Sequence, residues 1–110
     1  MDIAEHTEAD KLVIALGGRL DSNTSPDLEK LICPRMEDAV AVIVDMSRLD
    51  YVSSAGLRVL LKAAKIARGA QHRLALAGLT PEVQEVFDIS GFTAIFAIYD
   101  SRQKALEALR

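Results

Sequence analysis

The sequence predicts an α/β fold in which a mixed, mostly parallel β-sheet of about four to five strands is covered by about four helices. Two observations lead to this prediction. Strand-like apolar runs alternate with helix-like runs in the order β, β, α, β, α, β, α, β, α, which is typical of parallel strands joined by helices. The run 40–46 also carries apolar residues on both alternations, which indicates a central strand covered on both faces.

The other strands are predicted from short apolar and β-branched runs bounded by turn residues. They are expected at 3–8, 11–16, 73–78 and 94–98. The first helix follows the second strand, with Ser25 as a favourable N-cap and Pro26 at the first helical position. Pro34 lies inside this helix and lacks a backbone N–H, so we expect a kink or an early end there.

Three further helices follow the remaining strands. The second is expected to begin at Gly56–Leu57 and to end near Gly69. The third opens at Thr80–Pro81, again a cap residue followed by proline, and Gly91 is a natural C-terminal stop. The last is expected within 100–110. No linker or repeat divides the chain, so we expect one domain over residues 1–110.

Composition and charge limit the partners, the disulfide bonding and the cellular location that we expect. Half of the 110 residues are hydrophobic and the formal net charge is −3, which argues against nucleic acid as a partner because phosphate backbones require clustered Lys and Arg. The single cysteine, Cys33, excludes an intramolecular disulfide. The polar, acidic start and the lack of a long apolar run predict a cytoplasmic protein that does not itself insert into a membrane.

The stretch DMSRLDYVSSAGLRVLL, residues 45–61, carries the most informative chemistry because it places two serines where a buried strand turns into a helix. In the simplest interpretation the Ser54 hydroxyl caps the helix, alone or together with Ser53, and contributes about 1 kcal/mol. In the alternative interpretation the turn is a phosphorylation site, because a helix N-terminus offers free N–H groups and the positive end of a dipole. A phosphate would add roughly −1.5 to −2 charges and could control binding.

An enzyme is not predicted. The nucleophile turn of α/β-hydrolases has the pattern Gly-x-Ser-x-Gly, and its leading glycine is missing before Ser53 and Ser54. Only His6 and His72 are available as a base, and neither has ligand-type spacing with other residues. We therefore expect no catalytic residues, no metal site and no cofactor.

The serine stretch resembles the signature of the STAS domain, the module of anti-sigma-factor antagonists (anti-anti-sigma factors). GGRLDSNTSPDLEKL, residues 17–31, is similar to the Gly-x-Leu-Asp segment and first helix of that family, and GLTPEVQEVFDISGF, residues 78–92, resembles its third-helix region. The resemblance covers nearly the whole chain, and the serine turn followed by Gly-Leu is its most specific part. It implies the STAS fold.

The resemblance also implies a mechanism of partner switching in transcription regulation. In such antagonists a serine just before a small residue and Gly-Leu is phosphorylated by an anti-sigma factor that is also an ATP-dependent serine kinase. The unphosphorylated antagonist binds that factor and releases the sigma factor; phosphorylation blocks binding, and a phosphoserine phosphatase restores it. By position Ser54 matches the acceptor, Ala55 the small residue and Gly56 the glycine.

Two other positions, Ser53 and Asp21, are compared with the pattern of the family. Many members of the family have Asp directly before the acceptor, whereas this chain has Ser53, so Ser53 is a second candidate for phosphorylation. Asp21 matches the aspartate of the Leu-Asp segment, which the resemblance places near the acceptor. From the residues alone, Asp21 is equally well explained as a turn residue that accepts backbone hydrogen bonds.

A basic stripe is predicted beside the serine turn, because Arg58, Lys62, Lys65 and Arg68 recur at helical spacing. Each taken alone is a solvated surface residue, but together they predict a partner with an acidic patch. The predicted partner-binding residues are Asp21, Ser53, Ser54, Ala55, Gly56, Leu57, Arg58, Lys62 and Lys65.

Two other functions remain open within the same fold. One is a STAS regulatory subunit of a lipid or other membrane transport complex, whose transporter would supply the membrane-spanning part. The other is a sensor that binds a nucleotide or other small ligand, although the sequence has no phosphate-binding loop of the form G-x-x-x-x-G-K-[ST].

Overall fold

A computed structural model describes residues 1–109, which form a five-stranded sheet with helices on both faces. The predicted order of elements is confirmed, with one additional short 3₁₀ turn at Phe92–Ala94. The strands are β1 Asp2–Glu8, β2 Lys11–Leu20, β3 Ala41–Val52, β4 Arg73–Ala77 and β5 Ala97–Tyr99. The helices are α1 Ser25–Asp38, α2 Ser54–Ala70, α3 Pro81–Ser90 and α4 Arg102–Ala108.

The strands lie side by side in chain order, β1-β2-β3-β4-β5. β1 and β2 form an antiparallel hairpin, and the other neighbouring pairs are parallel. The hairpin turn consists of Ala9 and Asp10, both at positive φ (50° and 66°), as a two-residue turn matched to the twist of the strands requires. The sheet is therefore mixed and mostly parallel, as predicted.

The core lies on both sides of β3. Val42, Val44 and Met46 belong to the larger apolar cluster, which also receives side chains from α1, α2 and α3. Ile43 points the other way and packs with Val13 and with the side chains of α4. All four β3 side chains are fully buried, which confirms that this strand is covered on both faces.

Two expectations for α1 are wrong, the early end at Pro34 and the N-cap at Ser25, whereas a kink at Pro34 stays a prediction. The helix does not end early at Pro34 but continues to Asp38. Ile32 before the proline and Met36 after it are fully buried, so both sides of Pro34 are packed on the sheet. Pro34 itself is exposed, on the side of the helix away from these buried residues. The N-cap position is occupied by Thr24 rather than by Ser25, so Pro26 is the second helical residue and not the first.

The predicted boundaries also differ from the structure near glycine and phenylalanine residues. β2 continues through Gly17 and Gly18 to Leu20, with shifts of register around the two glycines.

The strand expected at 94–98 is instead β5, three residues long and centred on Ile98. Phe92 and Phe96 precede it and pack against Phe87 with ring-centroid distances of 6.4 and 5.8 Å. This aromatic packing favours a 3₁₀ turn at Phe92–Ala94 and keeps Phe96 out of the sheet, so the strand begins only at Ala97.

The last predicted helix is shorter than expected, since α4 occupies 102–108 of the predicted 100–110. Arg110 lies outside the described residues. Within residues 1–109, no helix combines the length and the apolar character that crossing a membrane requires.

Candidate functional site

The serine turn lies at the carboxyl ends of two adjacent parallel strands. Leu20 of β2 pairs with Val52 of β3, and the backbone N–H of Ser53 donates a hydrogen bond to the Leu20 carbonyl over 2.9 Å. The turn is therefore attached to β2 as well as to the strand that leads into it. Helix α2 starts at the next residue, Ser54.

The two serines occupy different positions in this turn. Ser53 is the N-cap of α2: its hydroxyl oxygen accepts a hydrogen bond from the Gly56 N–H at 3.4 Å, and its carbonyl accepts one from the Leu57 N–H at 2.9 Å. Ser54 is the first helical residue and is exposed. Among the described residues its hydroxyl has no hydrogen-bond partner. The capping function expected mainly of Ser54 thus belongs to Ser53, and the Ser54 hydroxyl is accessible.

Gly56 is required by the close approach of α2 to the ends of both strands. A Cβ atom at this position would lie 2.6 Å from Leu20 Cγ and 3.0 Å from Val52 Cγ2, which is far inside van der Waals contact. Gly56 and Leu57 are both buried. These two predicted partner-binding residues therefore shape the turn from beneath and expose little surface of their own.

Asp21 organises the segment between β2 and α1. Its Oδ1 accepts backbone hydrogen bonds from Asn23 and Thr24 at 3.0 and 3.1 Å, and these bonds, first that from Asn23, lower the pKa of the carboxyl. Asp21 follows Leu20, whose carbonyl bonds to Ser53. The structure thus shows the turn function that the residues suggested and places Asp21 next to the attachment point of the serine turn.

The predicted basic stripe is present on α2 but is partly neutralised. Arg58, Lys62 and Lys65 are exposed and line one wall of a groove of about 450 Å³ between α1 and α2. Glu29 of α1 lies on the opposite wall, and its Oε2 is 2.8 Å from Lys62 Nζ. This hydrogen bond raises the pKa of Lys62. Sequence reasoning missed Glu29 because nothing in the spacing of the residues shows which side chains of two packed helices meet.

A second feature beside the turn was also missed. Arg19 of β2 stacks on the ring of Tyr51 of β3, with the guanidinium carbon 4.2 Å from the ring centroid. The Arg19 Nε lies 3.7 Å from Asp21 Oδ2, and Tyr51 remains 39% exposed. The two residues are partners in the parallel register, which the sequence alone does not reveal.

The residues considered for hydrolysis are not assembled around the serines. His72 Nδ1 lies 2.7 Å from the Met36 carbonyl near the end of α1, and His6 on β1 contacts Glu8 at 3.2 Å. Neither has a hydrogen bond to the serine turn. In the part of the chain that the structure describes, no group of three or more His, Cys, Asp and Glu side chains is arranged to hold a metal ion.

Comparison with known proteins shows the family to which the chain belongs. A family model described as "Mlab, STAS domain" matches residues 3–98. This chain belongs to the STAS domain family. A Bordetella bronchiseptica protein named as an anti-sigma factor antagonist, BtrV, is 42% identical to it over 100 residues, which cover 90% of this chain and 86% of that protein.

Solved structures of anti-sigma factor antagonists share the fold of this STAS domain. That of an antagonist from Mycobacterium paratuberculosis superposes with a TM-score of 0.90 at 22% identity and covers 97% of this chain and 92% of its own. Unphosphorylated SpoIIAA superposes with a TM-score of 0.78 at 18% identity and covers 99% of this chain and 98% of its own. At these identities the likeness shows the fold, and it confirms the STAS architecture that the sequence predicted.

Proposed function

We propose that this STAS domain is an anti-sigma factor antagonist: unphosphorylated, it binds an anti-sigma factor and so causes release of the sigma factor. The family and the name of the Bordetella relative support this proposal. The observation that carries it is the accessible Ser54 hydroxyl, held at the first position of a 17-residue helix and next to a serine that already caps that helix.

Ser54 is the proposed phosphoacceptor, and the anti-sigma factor is the proposed serine kinase. The Ser54 oxygen forms a bond to the γ-phosphorus of ATP, ADP leaves, and the hydroxyl proton passes to a base of the kinase. A phosphoserine phosphatase reverses the step by hydrolysis. The chain is the substrate of these enzymes in the cytoplasm and supplies only the positioned hydroxyl. Ser53 is the weaker candidate because its oxygen already accepts the Gly56 N–H.

The proposed docking surface surrounds this hydroxyl. Its exposed or half-buried members are Asp21, Ser53, Ser54, Ala55, Arg58, Lys62 and Lys65, with Gly56 and Leu57 fixing the backbone beneath them. The three cations fit a partner with an acidic patch. A phosphate of roughly −1.5 to −2 charges at Ser54 would face that patch, and like charges at an interface cost several kcal/mol. Phosphorylation therefore prevents docking.

A comparison of three variants tests this proposal. Wild-type protein and the variants S54A, S54D and S53A are used to isolate the anti-sigma factor from the host, and the affinity of that purified factor is then measured by calorimetry. Wild type, S54A and S53A are expected to bind alike, and S54D at least about tenfold more weakly, which corresponds to about 1.4 kcal/mol. With ATP, wild type and S53A should gain one phosphate and S54A none.

Equal affinity of S54D and wild type would contradict the switch. Isolation of an ABC-type ATPase in place of an anti-sigma factor would favour the transport-subunit function instead.

A further inference from the structure

Arg58 lies one helical turn after Ser54 on α2. Residues four apart on a helix are neighbours on its surface, with Cβ atoms about 5–6 Å from each other. Both side chains are exposed. Arg58 has no carboxylate partner among residues 1–109, and the first turn of α2 contains no acidic residue that would compete for it.

The other nearby cations are less suitable for a group attached to Ser54. Lys62 already pairs with Glu29 at 2.8 Å. Lys65 is eleven residues from Ser54, about 16 Å along the helix axis, which exceeds the screening length of about 8 Å at physiological salt. Arg19 is stacked on Tyr51 and lies close to the Asp21 carboxylate.

We propose that Arg58 holds the phosphate of phosphorylated Ser54 through charge-assisted hydrogen bonds between its guanidinium and the phosphate oxygens. A planar guanidinium is well suited to such contacts. The pairing withdraws Arg58 from the docking surface, so phosphorylation both adds a negative charge and removes a cation that the partner would otherwise contact. The inference rests on the proposed function for the identity of Ser54 as the acceptor.

The test measures the titration of the phosphate itself. Phosphoserine is incorporated at position 54 during synthesis of the full chain, and the second ionisation is followed by ³¹P NMR between acidic and neutral pH. A neighbouring cation favours the dianion, so the pKa should lie below the value of about 6 for free phosphoserine. Arg58→Ala should raise it by about half a unit, because the opposite charge is lost.

Two further variants separate a specific contact from a general effect of charge. Arg58→Lys keeps the charge but not the planar fork, so it should restore part of the shift. Lys65→Ala removes the same charge from the same helix and should leave the pKa unchanged. An unchanged pKa in Arg58→Ala, or an equal rise in Lys65→Ala, would overturn the inference. Circular dichroism verifies that each sample is folded, which the exposure of Arg58 and Lys65 leads us to expect.

The outcome is independent of the binding experiment, because the titration needs no partner protein. A pKa that depends on Arg58, together with undiminished binding of S54D, would leave the pairing intact and refute the switch. A pKa that does not depend on Arg58, together with weakened binding of S54D, would refute the pairing and leave the switch intact.

Discussion

At the scale of single residues, one serine of the turn caps helix α2 and the other is accessible for modification. The sequence alone could not show which serine has which function. Ser53 satisfies a backbone N–H of α2, whereas Ser54 presents a hydroxyl to solvent. The division depends on where the chain changes from extended to helical backbone: Ser53 has φ −97° and ψ 174°, and the helix starts directly after it. A cap assigned from residue types alone is uncertain by a residue or two.

This division predicts different stability for the two alanine variants. Ser53→Ala should lower the free energy of unfolding by about 0.5–1 kcal/mol, because the Gly56 N–H loses its acceptor. Ser54→Ala should change it by less than about 0.5 kcal/mol, as expected for an exposed side chain. Urea denaturation of both variants measures the difference, and a larger loss in Ser54→Ala would show that the capping assignment is wrong.

Residues that are close in the sequence were predicted to form the site, and residues that meet only in the fold were not. The Gly-Leu spacing located the turn and singled out Ser54, because such a signature is local in the sequence. The Arg19–Tyr51 stack and the Lys62–Glu29 pair were not predicted. They depend on the register of two strands and on the packing of two helices, which bring together residues more than thirty positions apart.

At the scale of elements, the decisive contact is that of α2 with the ends of β2 and β3. Three features fix the start of the helix: the cap from Ser53, the hydrogen bond from Ser53 to the Leu20 carbonyl, and the absence of a side chain at Gly56. Helix α2 can then place its exposed face, with Arg58 and Lys62, directly beside the serine turn.

Gly56→Ala tests this packing. The added methyl group would lie 2.6 Å from Leu20 Cγ, so α2 or Leu20 must shift, and we expect a loss of about 1–3 kcal/mol in the free energy of unfolding. Gly69→Ala is the matched control, because a Cβ there meets nothing within 4 Å and alanine favours a helix over glycine by up to about 1 kcal/mol. Thermal and urea denaturation measure the stability of both variants. Equal stability of Gly56→Ala and Gly69→Ala would contradict the close packing of α2 on the strand ends.

Every predicted element is present, but β5 is shorter than predicted and begins later in the chain. β3 and α2 are long and mostly apolar on their buried sides, so tertiary packing reinforces the local pattern. β5 has three residues and follows an aromatic cluster. There the packing of Phe87, Phe92 and Phe96 outweighs the strand preference of the segment that the sequence suggested.

At the scale of the whole molecule, α4 is joined to the sheet by a partly buried ion pair. Arg102 Nη2 lies 2.8 Å from Asp45 Oδ2, and the Ser47 N–H donates to Asp45 Oδ1 at 3.0 Å. Burial opposes the ionisation of Asp45, but the hydrogen bonds from Ser47 and Arg102 outweigh it and lower the pKa of the carboxyl. The ionised pair thus links the face covered by α4 to the central strand.

This ion pair predicts how stability depends on pH. A carboxyl whose folded pKa lies below its unfolded value of 3.8 contributes stability that is present above that value and is lost as the pH falls through the folded pKa. The protein should therefore lose stability in acid, and Asp45→Asn should lose less between pH 5 and pH 2 because it cannot be protonated there. Urea denaturation across this range measures the effect, and an equal loss in both proteins would exclude Asp45 as a source.

The charge on the exposed face of α2 is opposite in sign to the net charge of the whole chain. The whole chain has a net charge of −3, yet the exposed face of α2 beside the acceptor carries Arg58, Lys62 and Lys65. A basic surface on an acidic protein favours encounter with an acidic partner in one orientation. In the proposed function, a single covalent change at the edge of this surface, the phosphorylation of Ser54, controls that encounter.

The most direct test of that claim is phosphopeptide mass spectrometry of the protein isolated from its own host during growth and under stress. We expect a phosphate on Ser54 whose occupancy changes between the two conditions. Absence of phosphate under both conditions, or phosphate on Ser53 with none on Ser54, would contradict it.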